Sequence, residues 1–120
     1  MKIAITSQGN TLADPVEERF GRCQWILIVD LETRGVVALN NKIQRDAVQG
    51  AGIQTAENIL REDVHCVITG HCGPKAFRVL QSAGVKVYLG AAGSGEKVLD
   101  EYQQGKLKLA ETSDVEGHWV

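Results

Sequence analysis

Residues 66–89 read CVITGHCGPKAFRVLQSAGVKVYL, and they decide the fold. Cys66-Val67-Ile68-Thr69 is a short apolar run closed by a turn, the pattern of a buried strand. Gly73-Pro74 then opens a helix whose apolar face is Ala76, Phe77, Leu80 and Ala83. Pro74 suits the first helical position, where its missing N–H has no partner to lose, and Gly84 suits the C-terminal cap. Val85, Val87 and Leu89 resume a strand pattern. Strand, helix and strand at this spacing predict two parallel strands joined by a right-handed crossover.

The flanking sequence extends the scheme. Lys2 to Thr6 reads as a strand, and the unbroken apolar run Trp25-Ile26-Leu27-Ile28-Val29 as one covered on both faces. Asp30 to Gly35 is a turn, and Val36 to Leu39 returns as the second half of a hairpin. From Ala51 the period lengthens: Ile53, Ala56, Ile59 and Leu60 share a helix face. Val98, Leu99 and Tyr102 mark a last helix, stopped by Gly105. Strands alternating with helices predict an α/β sandwich.

Composition narrows the function. With 120 residues, 43% hydrophobic and 23% charged, residues 1–120 are expected to form one globular domain. A formal charge of −2 argues against nucleic acid or a membrane surface as partner. Met1 to Ser7 lacks the apolar core of a secretory signal, and no run approaches the roughly 18 apolar residues of a membrane span. The three cysteines, Cys23, Cys66 and Cys72, have no framework spacing, as expected of a protein in the reducing cytoplasm.

Open α/β sheets bind ligands outside the carboxyl ends of their parallel strands. Three turns qualify: Ser7-Gln8-Gly9, Gly70-His71-Cys72-Gly73, and Gly90 to Gly95. Two lead into helix N-termini, whose free N–H groups favour an anion. Tight turns with no ligand use glycine as well. Cys72 and Arg78 have the Cys-x5-Arg spacing of cysteine phosphatases, but Pro74 removes an N–H that a phosphate cradle needs.

Lys2-Ile3-Ala4-Ile5, Arg19-Phe20-Gly21-Arg22, Gly50-Ala51-Gly52, Ile68-Thr69-Gly70, Gly73-Pro74-Lys75-Ala76-Phe77 and Ala83-Gly84-Val85-Lys86-Val87-Tyr88 occur in that order. Together they resemble the dinitrogenase iron–molybdenum cofactor biosynthesis family over residues 1 to about 110. Arg19 ahead of Phe20-Gly21-Arg22, and the ending Glu116-Gly117-His118-Trp119, are most similar to a member that carries a molybdenum–copper sulfide cluster without covalent attachment. The resemblance implies a three-layer α/β/α fold with a ribonuclease H-like motif. Its mixed sheet would have five strands in the order 3-2-1-4-5, with strand 2 antiparallel. It also implies a non-enzymatic carrier whose cofactor is an anionic molybdenum–copper sulfide, or thiomolybdate-type, cluster. The alternative within the family is a cofactor-free regulatory or scaffolding module that docks on a protein partner such as an ATPase. A two-metal nuclease on this fold is excluded, because the strand Lys2 to Thr6 carries no carboxylate.

With strand 2 antiparallel, the Ser7–Cys23 and Asn40–Gly52 connections reach the same rim as the three turns. Backbone at Ser7, Gly21, Gly70, Gly73 and Pro74 would then line a cluster site. Arg19 and Arg22 would pair with a soft, multiply charged anion, or else with Glu17 or Glu18 on a solvated loop. Phe20 would shield the cluster from water or simply anchor its loop. Cys72 stands at a helix N-terminus, where a thiolate is stabilised, and with His71 it could touch copper. A cluster held without covalent bonds needs neither residue. Lys75 sits in the first turn of the helix against the dipole, which hints at a neighbouring anion.

Overall fold

The computed structural model describes residues 1–47 and 49–114. The strands are β1 (Lys2–Ser7), β2 (Trp25–Asp30), β3 (Val36–Asn40), β4 (Cys66–Ile68), β5 (Lys86–Leu89) and β6 (Lys108–Leu109). The helices are α1 (Lys42–Arg45), α2 (Ala51–Leu60), α3 (Pro74–Ser82) and α4 (Gly95–Gln103), with a 3-10 turn at Phe20–Arg22. All the strands join one sheet in the order β3-β2-β1-β4-β5-β6. β1, β4 and β5 run parallel, and β2 lies antiparallel between β1 and β3.

The first five strands take the expected order, but the sheet has six strands rather than five. β6 is two exposed residues held against β5 through the pairs Tyr88–Leu109 and Leu89–Lys108. So short a strand has no periodicity to read; the open edge of β5 creates it.

Alternation along the strands feeds two cores. Ala4, Ile26, Ile28, Val67 and Val87 face α2, α3 and the 3-10 turn, meeting Phe20, Ile59, Phe77 and Leu80. Ile3, Ile5, Leu27, Val29 and Ile68 face the other way, against Val16, Val98 and Leu99. Helices on both faces make three layers, which is why Ile26 to Val29 is apolar without a break. In α2 the buried face is Ala51, Gly52, Thr55, Ala56 and Ile59, with Ile53 and Leu60 half-buried. Small residues there allow close packing on α3 and the 3-10 turn.

Local signals place the element ends. Pro74 is the first residue of α3, and Gly84 follows it at φ +78°, a left-handed value that L side chains rarely adopt. The Asp30 carboxylate accepts from Glu32 N at 2.9 Å and Thr33 N at 3.2 Å, closing the hairpin turn and holding that carboxyl below its usual range.

Candidate functional site

The carboxyl ends of β1, β4 and β5 meet on one edge, and the loop after β1 is laced across all three. Beside β1, Gln8 N donates to Pro15 O and Glu17 N to Thr6 O, each at 2.9 Å. Beside β4, His71 N donates to Glu18 O at 2.6 Å and Phe20 N to His71 O at 3.0 Å. Beside the turn into α4, Val16 N donates to Gly93 O at 2.8 Å and Gly95 N to Asp14 O at 3.0 Å. Beneath the loop, the buried Thr6 and Thr69 hydroxyls are bonded at 2.8 Å, and Thr6 also reaches Glu17 O at 2.8 Å. The close approach that Gly70 permits is that of this loop: a Cβ there would lie 2.7 Å from Glu18 Cα and O. Ser7 is buried, its hydroxyl accepting from Gly9 N at 3.2 Å and donating to Pro15 O at 3.4 Å.

The two arginines diverge. Arg22 is half-buried, and its Nη1 donates to Arg45 O at 2.6 Å and Ala47 O at 3.4 Å. It therefore holds carbonyls at the end of α1 rather than pairing with Glu17 or Glu18. The Arg19 side chain is exposed, while its backbone N–H donates to Glu17 Oε2 at 3.1 Å. Between them Gly21 and Phe20 are buried, and Phe20 is packed in the α2–α3 core, which pins the loop to the sheet. Lys97 is engaged within its own turn and helix: its Nζ donates to Ala92 O at 3.3 Å and lies 3.6 Å from Glu101 Oε1.

At the start of α3, Gly73 offers no side-chain cap, Pro74 has no N–H, and Lys75 is exposed in the first turn. Cys72 is fully buried. Burial, and then the Asp114 charge, push its thiol up to about 12. The helix terminus was expected to favour a thiolate; desolvation outweighs the helix field here. Negative charge at this helix end comes instead from Asp114. Its Oδ1 accepts from Cys72 N at 3.0 Å, and its Oδ2 lies 2.8 Å from His71 Nδ1. No local pattern announces that contact, because Asp114 is 42 residues from Cys72 in the chain. The ending Glu116-Gly117-His118-Trp119 lies outside the described residues.

Burial pushes the other thiols up as well, Cys23 to about 12 and Cys66 to about 11. Cys23 lies under the buried Asn41 amide, which donates from Nδ2 to Cys23 O and to Thr55 Oγ1, both at 3.0 Å. Asn41 was not a sequence candidate, since a lone Asn after a strand usually marks a turn. Among the described residues, no three His, Cys, Asp or Glu side chains are grouped to hold a metal ion. Arg78 is exposed on α3 and Cys72 is a protonated thiol, the reverse of what a cysteine phosphatase needs. A cavity of about 630 Å³ opens on the same edge, between Leu89–Gly90 and residues 108–114.

The model of the dinitrogenase iron–molybdenum cofactor family matches residues 1–105. This chain belongs to that family. Among solved structures it is similar to the apo form of the orange protein from Desulfovibrio gigas, with a TM-score of 0.92 and 30% identity over 95% of this chain and 96% of that one. A putative NifB protein from Thermotoga gives a TM-score of 0.83 and 32% identity, covering 95% of this chain and 97% of the other. An uncharacterised protein of Methanocaldococcus jannaschii is 31% identical over 114 residues, 92% of each chain. In this member of the iron–molybdenum cofactor family, the edge of β1, β4 and β5 thus combines a pinned loop, the exposed Arg19 and the α3 N-terminus, with all three thiols buried. Among the described residues no helix is long and apolar enough to cross a membrane.

Proposed function

We propose that this chain is a non-enzymatic carrier for an anionic metal–sulfide cluster of the molybdenum–copper type, held without covalent bonds at the edge of β1, β4 and β5. The state of the cysteines carries the reading. All three thiols are buried, and burial pushes Cys23 and Cys72 up to about 12 and Cys66 to about 11, so the edge offers a cargo no exposed thiolate in the cargo-free chain. What the edge offers an anion is the exposed Arg19, Lys75 and the first turn of α3, beside the Asp114 carboxylate already there. Such donors fit a soft anion. Arg22 acts at one remove, by holding the segment that ends α1. His71, whose side chain is 41% exposed, is better placed than the enclosed Cys72 to touch copper. The likeness to the orange protein, solved in its apo form, supports a chain that exists with and without a cargo. Handling a sulfide cluster suits a reducing cytoplasm.

The test is to mix the metal-free protein with tetrathiomolybdate and copper, desalt it, and measure metal content and visible absorption together. Molybdenum, copper and colour are expected to travel with the protein. A colourless, metal-free protein after desalting would overturn the reading in favour of a module that docks on a protein partner.

A further inference from the structure

The segment after β6 returns a negative charge to the edge where an anionic cargo would sit. Ala110 N is still tied to Val87 O at 2.9 Å, so the chain leaves β5 only after that point. Four residues later both oxygens of the Asp114 carboxylate are engaged, one by Cys72 N at 3.0 Å and the other by His71 Nδ1 at 2.8 Å. The contact sits one residue before the N-cap of α3, where Gly73 supplies no capping side chain. A carboxylate is the group a helix N-terminus favours.

We infer that Asp114 is a displaceable latch: in the cargo-free chain it occupies the anion position at the head of α3, and it must leave before a cluster can settle there. This rests on reading the edge as the cargo site. Two features make the contact releasable. The Asp114 and His71 side chains remain 33% and 41% exposed, so water can replace either bond. The segment also forms one wall of the cavity of about 630 Å³, with Leu89 and Gly90 opposite, so open space lies beside it. Two anions cannot share one helix terminus without repulsion, so the latch weakens cargo binding by the free energy of its own contact. It also keeps the Cys72 N–H, just ahead of α3, bonded when no cargo is present.

The experiment compares the full chain with its Asp114→Ala and Asp114→Asn variants, titrated with premixed tetrathiomolybdate and Cu(I). Binding is read from visible absorption, and the Cys72 amide is followed by NMR. Asp114→Asn removes the charge but keeps the shape and an acceptor for Cys72 N, so it guards against a packing defect. Both variants are expected to bind roughly threefold to tenfold more tightly than the parent. In the parent the Cys72 amide signal is expected to move further on loading than in Asp114→Ala, because only the parent breaks a bond there. Parent and variants binding equally, or variants binding more weakly, would overturn the latch and leave the carrier reading intact. If none of the three proteins takes up the cluster, the carrier reading fails and the latch falls with it.

Discussion

Arg22 donates from Nη1 to Arg45 O at 2.6 Å, joining two connections that lie 23 residues apart in the chain. The bond clamps the end of α1 to the loop that crosses the strand ends and gives Arg22 a structural task there. Arg22→Ala should therefore cost stability, about 1–3 kcal/mol for a part-buried, charge-assisted bond. Arg19→Ala should cost less, because that side chain is exposed, yet it should lower cluster retention more per unit of stability lost. Urea denaturation beside metal retention after desalting separates the two. Equal stability losses would remove the clamp.

The Thr6–Thr69 hydroxyl pair links β1 to β4 beneath the loop. Thr69→Val should destabilise by about 1 kcal/mol, and Thr6→Val by more, since it also strips Glu17 O of its partner. A double-mutant cycle should return a coupling of roughly 0.5–1.5 kcal/mol. Additive losses would show that the two hydroxyls act independently.

Gly70→Ala would drive a Cβ into the Glu18 backbone, 2.7 Å away, so the loop or β4 must shift. The expected loss is about 1–3 kcal/mol, as for other overpacked sites. Gly84→Ala has open space around it but a φ of +78°, and should cost about 1 kcal/mol through backbone strain alone. Only the first should also change cluster uptake. Thermal melting with an uptake assay on both variants checks this.

The buried thiols make stability depend on alkaline pH. Each is raised in the folded chain above its ordinary value of 9.0. Below that value both states keep the proton and pH has no effect through these groups. As pH rises from about 9 toward about 12, the unfolded chain releases protons that the folded chain retains, and stability is lost, by at most about 1.4 kcal/mol per pH unit for each thiol. Tyr102, raised by burial and by its bond to Cys66, acts in the same direction. Melting temperatures recorded between pH 7 and pH 11 should stay level and then fall. Under native conditions at pH 8 a thiol reagent should label almost nothing, whereas in denaturant it should label Cys23, Cys66 and Cys72 alike. Rapid native labelling of Cys72 would contradict its burial.

Much of the candidate edge was legible and some of it was not, for reasons that differ residue by residue. The strand–turn–helix at residues 66–82 could be read because Pro74, Gly84 and the spacing of Ala76, Phe77 and Leu80 all act within a few positions. Arg19 and Arg22 look equivalent in sequence. They separate only because α1, four residues long and without readable periodicity, ends next to one of them. Cys72 has the sequence setting of an activated thiol, but its protonation depends on enclosure by packed elements, which local spacing does not encode.

By itself, the sequence determined the alternation of strands and helices, their caps, and the glycine-bearing turns after β1, β4 and β5; the antiparallel β2 that brings the arginine loop to the same rim came from the family resemblance. Periodicity, proline and glycine act locally, so a single chain is enough to read them. Only the tertiary structure decided that a sixth strand closes the sheet, that Arg22 serves α1, and that Asp114 comes back to the head of α3. Each depends on free donors or acceptors meeting across a long stretch of chain, up to 42 residues for Asp114 and Cys72, and such meetings exist only once the sheet is assembled.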